Sequence, residues 1–262
     1  MSGAKDGTDG KAGAVAGKGT YRCTCIVLDK TKLGEKDLIL TLLAESGRQV
    51  RAVAKGARRP GSRLAARCEL FCTVDLLLAR GKNLDVVSQA ELVEAPLGSQ
   101  PAYELVSAAS AVAEVASLCS YEGTDDPFVY AITAATLRTL PGLDGARLDL
   151  VVAAYVFKLL SHMGYRPELD GCVLCGDPDP LFFSAAAGGL VCASCATTEP
   201  GSQAIEPGQA AWLRALIGLT FKELAGADID LFTAEELLSL AHTWAATHLD
   251  ARLRAMEFML GE

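Results

Sequence analysis

The 262-residue chain is poor in histidine, with three, and in aromatic side chains, which make up 6% of it. His162, His242 and His248 stand in no H-E-x-x-H or H-x-E arrangement, so the zinc-peptidase and deaminase signatures are missing. No G-x-S-x-G, P-loop or G-x-G-x-x-G sequence occurs either, which removes the usual markers of hydrolases, P-loop NTPases and dinucleotide enzymes. Half the residues are hydrophobic, yet no run approaches the ~18 uninterrupted apolar residues of a membrane span. Residues 1–19 are rich in Gly, Ala and Lys and lack the long apolar run of an export signal. They predict a disordered tail. The expectation is a soluble, cytoplasmic protein that is not an enzyme and has no membrane partner.

Cysteine is plentiful, with nine in the chain, but length and context argue against a disulfide scaffold. Four of them, Cys172, Cys175, Cys192 and Cys195, form C-x2-C-x16-C-x2-C. That spacing suits a tetrahedral thiolate site for one zinc ion, with a hairpin folding one pair back on the other. Leu181 to Phe183 read as one strand, Leu190 and Val191 as its return, and Gly188 and Gly189 as the turn. Four cysteines close the coordination shell and leave no position for a reactive water, so the metal is read as structural. Cys23, Cys25, Cys68 and Cys72 lack such a pattern and are expected to pack as small apolar side chains.

The net charge of −8 conceals a segregation. Residues 20–95 carry 13 Lys/Arg against 9 Asp/Glu, a net of +4, whereas residues 96–262 carry 8 against 21, a net of −13. Between positions 48 and 67 stand Arg48, Arg51, Lys55, Arg58, Arg59, Arg63 and Arg67, with no acid among them. So many like charges repel one another unless an anion meets them, and phosphates releasing their counterions are the natural resolution. These seven are the candidate nucleic-acid contacts. Gly56, Pro60, Gly61 and Ser62 suggest a mobile loop presenting Arg58, Arg59 and Arg63. Tyr21 and Phe71 are the only aromatics in this region, so backbone electrostatics should outweigh base stacking.

Five short apolar runs, 21–29, 37–45, 48–55, 70–79 and 83–91, are separated by turn signals. Five strands in so short a span fit a small closed barrel of the OB-fold type. Helical patterns follow over 101–120, 127–140, 147–163, 207–225 and 233–259, with Thr233 and Glu236 at capping-box spacing. The fold class is therefore α+β and multi-domain. A tail (1–19) precedes an OB-fold barrel (20–95), and an α-helical domain (96–262) carries an inserted four-cysteine zinc ribbon (170–197). The Ala-rich helices over 101–120 and 127–140 predict ordinary bundle packing; the alternative is a groove for a partner peptide, with Arg138 as a basic residue beside it.

The chain resembles the RecO family of bacterial recombination mediators. The resemblance rests on Gly34-Glu35-Lys36-Asp37, Ser46-Gly47-Arg48 and Ala54-Lys55-Gly56-Ala57-Arg58-Arg59, with Ser62-Arg63 beyond. It extends to Gly164-Tyr165-Arg166-Pro167 leading into the cysteines. Not every member keeps those cysteines, so the chain groups with the zinc-containing ones. The resemblance implies binding of single- and double-stranded DNA, annealing of complementary strands and loading of RecA with RecR, often with RecF, at the nucleoid. It also implies capture of the tail of single-stranded-DNA-binding protein. DNA contact is carried over to Lys55, Arg58, Arg59 and Arg63, which match the motif; Arg48, Arg51 and Arg67 rest on charge alone. The alternative from residues alone is a zinc-ribbon and OB-fold nucleic-acid module of transcription or translation.

Overall fold

The computed structural model describes residues 19–261. The tail expected over 1–19 therefore falls, but for Gly19, outside the described residues. The barrel is built from β1 (Thr20–Leu33), β2 (Asp37–Ala44), β3 (Gln49–Ala54), β4 (Thr73–Ala79) and β5 (Asp85–Glu94), with a short helix α1 (Arg63–Arg67) between β3 and β4. It closes in the order β1-β2-β3-β5-β4, with β3 and β5 parallel and the other pairs antiparallel. Strand β1 can serve two neighbours because it is long and irregular at Val27/Asp29. Its first half pairs with β4 and its second with β2. This is the five-stranded OB-like barrel the strand spacing implied. Alternation on β3 puts Ala52 and Ala54 inside while Arg51 is exposed.

The segment read as a loop is a run of turns over 55–61 that leads into α1. Ser62 caps α1 by accepting a hydrogen bond from the Ala65 N–H, and Cys68 and Cys72 behind it are buried in the barrel core with Cys25. None of the nine cysteines forms a disulfide.

The helices are α2 (Tyr103–Cys119), α3 (Pro127–Thr139), α4 (Gly145–His162), α5 (Ala193–Ala196), α6 (Pro207–Gly218), α7 (Phe221–Ala225), α8 (Leu231–Leu249) and α9 (Arg254–Leu260). Helix α4 is apolar nearly all round because α2, α3, α6, α7 and α8 pack about it. Two long helices expected from periodicity are each broken. The 207–225 pattern stops at Leu219 and restarts after a Thr220–Glu223 capping box. The 233–259 pattern stops at Asp250, whose backbone is left-handed with φ 47°. Asp230, not Thr233, caps α8, its carboxylate accepting from the Thr233 N–H and hydroxyl. None of these helices is long and apolar enough to cross a membrane.

Barrel and helices share a core. Ile26, Leu28, Leu43 and Phe71 of the barrel region pack with the helical residues. Gln49 Nε2 reaches the Ser117 and Ser120 carbonyls at 2.8 and 3.4 Å. Gly47 has φ 82°, and a β-carbon there would stand 1.7 Å from the Asp126 carbonyl oxygen, so only glycine fits this junction.

Candidate nucleic-acid interface and metal centre

Two grooves run over the barrel surface and meet at Arg22. The first, about 430 Å³, is lined by Arg22, Arg48, Arg51, Arg80 and Lys82 together with Tyr21. Carboxylates of Glu45, Asp85 and Glu122 also reach it. The second, about 790 Å³, takes Arg22, Arg63 and Arg67, with Asp75 and Glu91. Strand geometry sets this arrangement. Arg22 and Arg51 point outward from β1 and β3, while Arg80 and Lys82 sit on the tight turn joining β4 to β5. Arg63 and Arg67, four apart, share a face of α1. Arg67 Nη1 also donates to the Ala90 carbonyl at 2.9 Å, fastening α1 to β5.

The seven cations of the linear run thus separate into three groups. Arg48 and Arg51 enter the first groove and Arg63 and Arg67 the second. Lys55, Arg58 and Arg59 lie on the turn after β3 and line neither. Arg58 is committed elsewhere, its Nη1 donating to the Gly34 and Glu35 carbonyls at 2.8 and 3.1 Å, which ties its turn to the β1–β2 turn. Arg48 meets Asp125 of the helical region, Nε to Oδ1 3.2 Å. Arg22, Arg80 and Lys82 escaped the sequence reading because they lie outside the run. The sequence signal for the last two is Arg80-Gly81-Lys82, two cations flanking a turn glycine. Arg138 is gripped by Glu94, Nε lying 3.0 and 2.9 Å from the two carboxylate oxygens. Phe71 is largely buried and lines neither of these two grooves, which leaves Tyr21 as the barrel aromatic that does.

In the ribbon, β6 (Phe182–Ser184) and β7 (Gly189–Val191) form the expected hairpin, and β8 (Gln203–Ala204) pairs on the other edge of β6. The sulfurs of Cys172, Cys175, Cys192 and Cys195 all lie within 4.8 Å of one another, and those of Cys175 and Cys192 are 3.7 Å apart. A tetrahedron with Zn–S bonds of about 2.3 Å has sulfur–sulfur edges of about 3.8 Å, so the quartet fits zinc. Burial pushes the Cys172 thiol up, but N–H groups of Cys192, Leu174 and Cys175 outweigh it and bring it to about 6. Cys195, hydrogen-bonded to the Cys175 thiol, is pushed up to about 12. Gly189 must be glycine, since a β-carbon would fall 2.2 Å from the Glu168 carbonyl oxygen. Beneath the hairpin Phe183 packs against Trp244 and Phe157, ring centroids 5.4 and 6.3 Å away. The ribbon is thereby anchored in the helical core. The quartet lies more than a hundred residues from the basic strands and shares neither groove.

Comparison with known proteins gives two family matches, Recombination protein O N terminal over residues 18–96 and Recombination protein O C terminal over residues 100–257. The chain is similar to the DNA repair protein RecO of Cutibacterium acnes, 37% identical over 248 residues that cover 92% of this chain and 98% of that protein. It is similar also to that of Bifidobacterium longum, 34% identical over 243 residues covering 91% and 98%. With that of Desulfitobacterium hafniense it is 32% identical over 244 residues, covering 90% and 88%.

Proposed function

The chain belongs to the RecO family of DNA repair proteins, and from that premise we propose that it is a DNA-binding mediator, not an enzyme. In this reading it anneals complementary strands and, with RecR and often RecF, loads RecA. The supporting observation is the pair of cation-lined grooves meeting at Arg22. Two backbones repel each other as they approach, and cations that hold both lower that repulsion while releasing counterions. Single strands and duplex would both bind, since phosphate contacts carry no sequence information. The acidic helical region discourages DNA elsewhere and leaves that face to protein partners. In the same reading the tail of single-stranded-DNA-binding protein takes the apolar groove between Phe128, Ile132, Ile217 and Phe221, at which the Lys158 ammonium is held by the Ile217 and Leu219 carbonyls at 2.8 and 2.5 Å. One zinc ion at the cysteine quartet holds the ribbon's fold and takes no part in chemistry.

The test is annealing of complementary oligonucleotides, with single-strand affinity measured against salt. Contact with about five phosphates gives a log–log slope of roughly −3 to −4. Replacing Arg22 and Arg51 together by alanine should make that slope less negative by about 1.4 and slow annealing. Unchanged affinity and slope would place DNA elsewhere on the molecule.

A further inference from the structure

We propose that Tyr21 and Arg80 form a stacking platform for one nucleobase of a single strand, the site at which this barrel reads an unpaired base rather than a backbone. The inference rests on the DNA-binding reading above and adds to it a contact that phosphate electrostatics cannot supply. The Arg80 guanidinium lies over the Tyr21 ring, 4.8 Å from its centroid. The ring is held from below, because Tyr21 packs on the barrel core, and at its edge, because its hydroxyl donates to Asp85 Oδ2 at 2.5 Å.

Asp85 in turn accepts from the Gly81 N–H at 3.0 Å, closing the turn that carries Arg80. Gly81 is needed there, since a β-carbon would stand 1.9 Å from the Leu84 carbonyl oxygen. The tight turn sends the Arg80 side chain back over β1. Arg80 is exposed, and among the described residues its guanidinium makes no ion pair. A planar cation on an aromatic ring, with its outer face open, is a surface on which a base can lie. Arg22, Arg51 and Lys82 line the same groove and can hold the flanking phosphates. In a duplex the bases are stacked and paired, so the platform favours single strands.

The test uses the full chain and two oligonucleotides of equal length and charge, one of thymidines and one abasic, measured by anisotropy across a salt series. The wild type should bind the thymidine strand about tenfold more tightly, with equal salt slopes for both. Arg80→Lys keeps the charge but removes the plane, and should erase the preference without changing the slope. Tyr21→Phe keeps the ring and should retain most of it. Equal binding of the two strands by the wild type, or a preference that survives in Arg80→Lys, would overturn the platform and leave the electrostatic reading intact. Failure to bind either strand would overturn both.

Discussion

In the ribbon, four side chains from a 24-residue stretch converge on one point, their sulfurs within 4.8 Å. On the barrel, cations from positions 22 to 82 spread along two grooves, and several of those nearest in sequence are spent on the protein itself. The contrast separates two ways a site is encoded. A metal needs ligands at fixed short distances, which a local hairpin can provide. A polyanion needs cations of one sign over a wide surface, which only strands brought together by the barrel provide. A spacing motif therefore locates the first site, whereas a run of charge only hints at the second.

The strongest way to break this comparison is to remove the metal ligands. Cys175→Ser, or chelation, should unfold the ribbon, because structural zinc supplies on the order of 10–16 kcal/mol to local folding. Zinc release, counted with a colorimetric chelator, should be one per chain, and near-ultraviolet dichroism should lose the signal of the Trp244 cluster. Affinity for DNA should fall far less. An equal loss would make the ribbon part of the interface.

Next in size is the junction between the halves. Gly47→Val places a β-carbon onto the Asp126 carbonyl in a left-handed backbone, and should cost about 3 kcal/mol or more. Calorimetry should then show separate barrel and helical transitions in place of one. A single unshifted transition would show the junction to be pliable.

The comparison is sharpened by pairing two arginines. Arg22→Ala should make the salt slope less negative by about 0.7, whereas Arg58→Ala, which loses hydrogen bonds to Gly34 and Glu35, should lower stability by about 1 kcal/mol and leave the slope unchanged. The reverse result would make the turn carrying Arg58 the interface and not the groove at Arg22.

An effect of comparable size belongs to the acidic half. Burial and the facing Glu235 push the Asp149 carboxyl up to about 7. The folded protein then holds a proton that the unfolded chain has released near pH 4, so stability from this group falls as pH rises from about 4 to 7. Asp149→Asn should be more stable than the wild type at pH 8 by about 1–2 kcal/mol, after discounting for solvent screening. Urea denaturation should show the two converging near pH 4.

Much of the fold was legible. The five apolar runs coincide with β1 to β5 to within a few residues because two-residue alternation and turn residues act locally. The breaks at Leu219 and Asp250 were harder to read. Thr220-Phe221-Lys222-Glu223 carried a capping-box signal that the apolar periodicity masked. Asp250 gives no comparable sign, since its left-handed backbone is set by packing of α9 on α2, where the Glu114 carboxylate accepts from the Arg254 and Ala255 N–H groups. Of the cations lining the two grooves, Arg48, Arg51, Arg63 and Arg67 belong to the linear run, whereas Arg22, Arg80 and Lys82 stand outside it.

By itself the sequence determined the positions of the five strands, the cysteine quartet and the charge split, because each is a property of neighbours along the chain. Only the tertiary structure decided which cations face a groove. Arg48 is partly neutralised by Asp125, 77 positions away, Arg58 is held by carbonyls of another turn, and Arg80 comes to lie on Tyr21 because barrel closure joins β4 to β1. The physical reason is that a charge is spoken for or free according to what stands within a few ångströms of it, and in a barrel those neighbours come from distant parts of the chain.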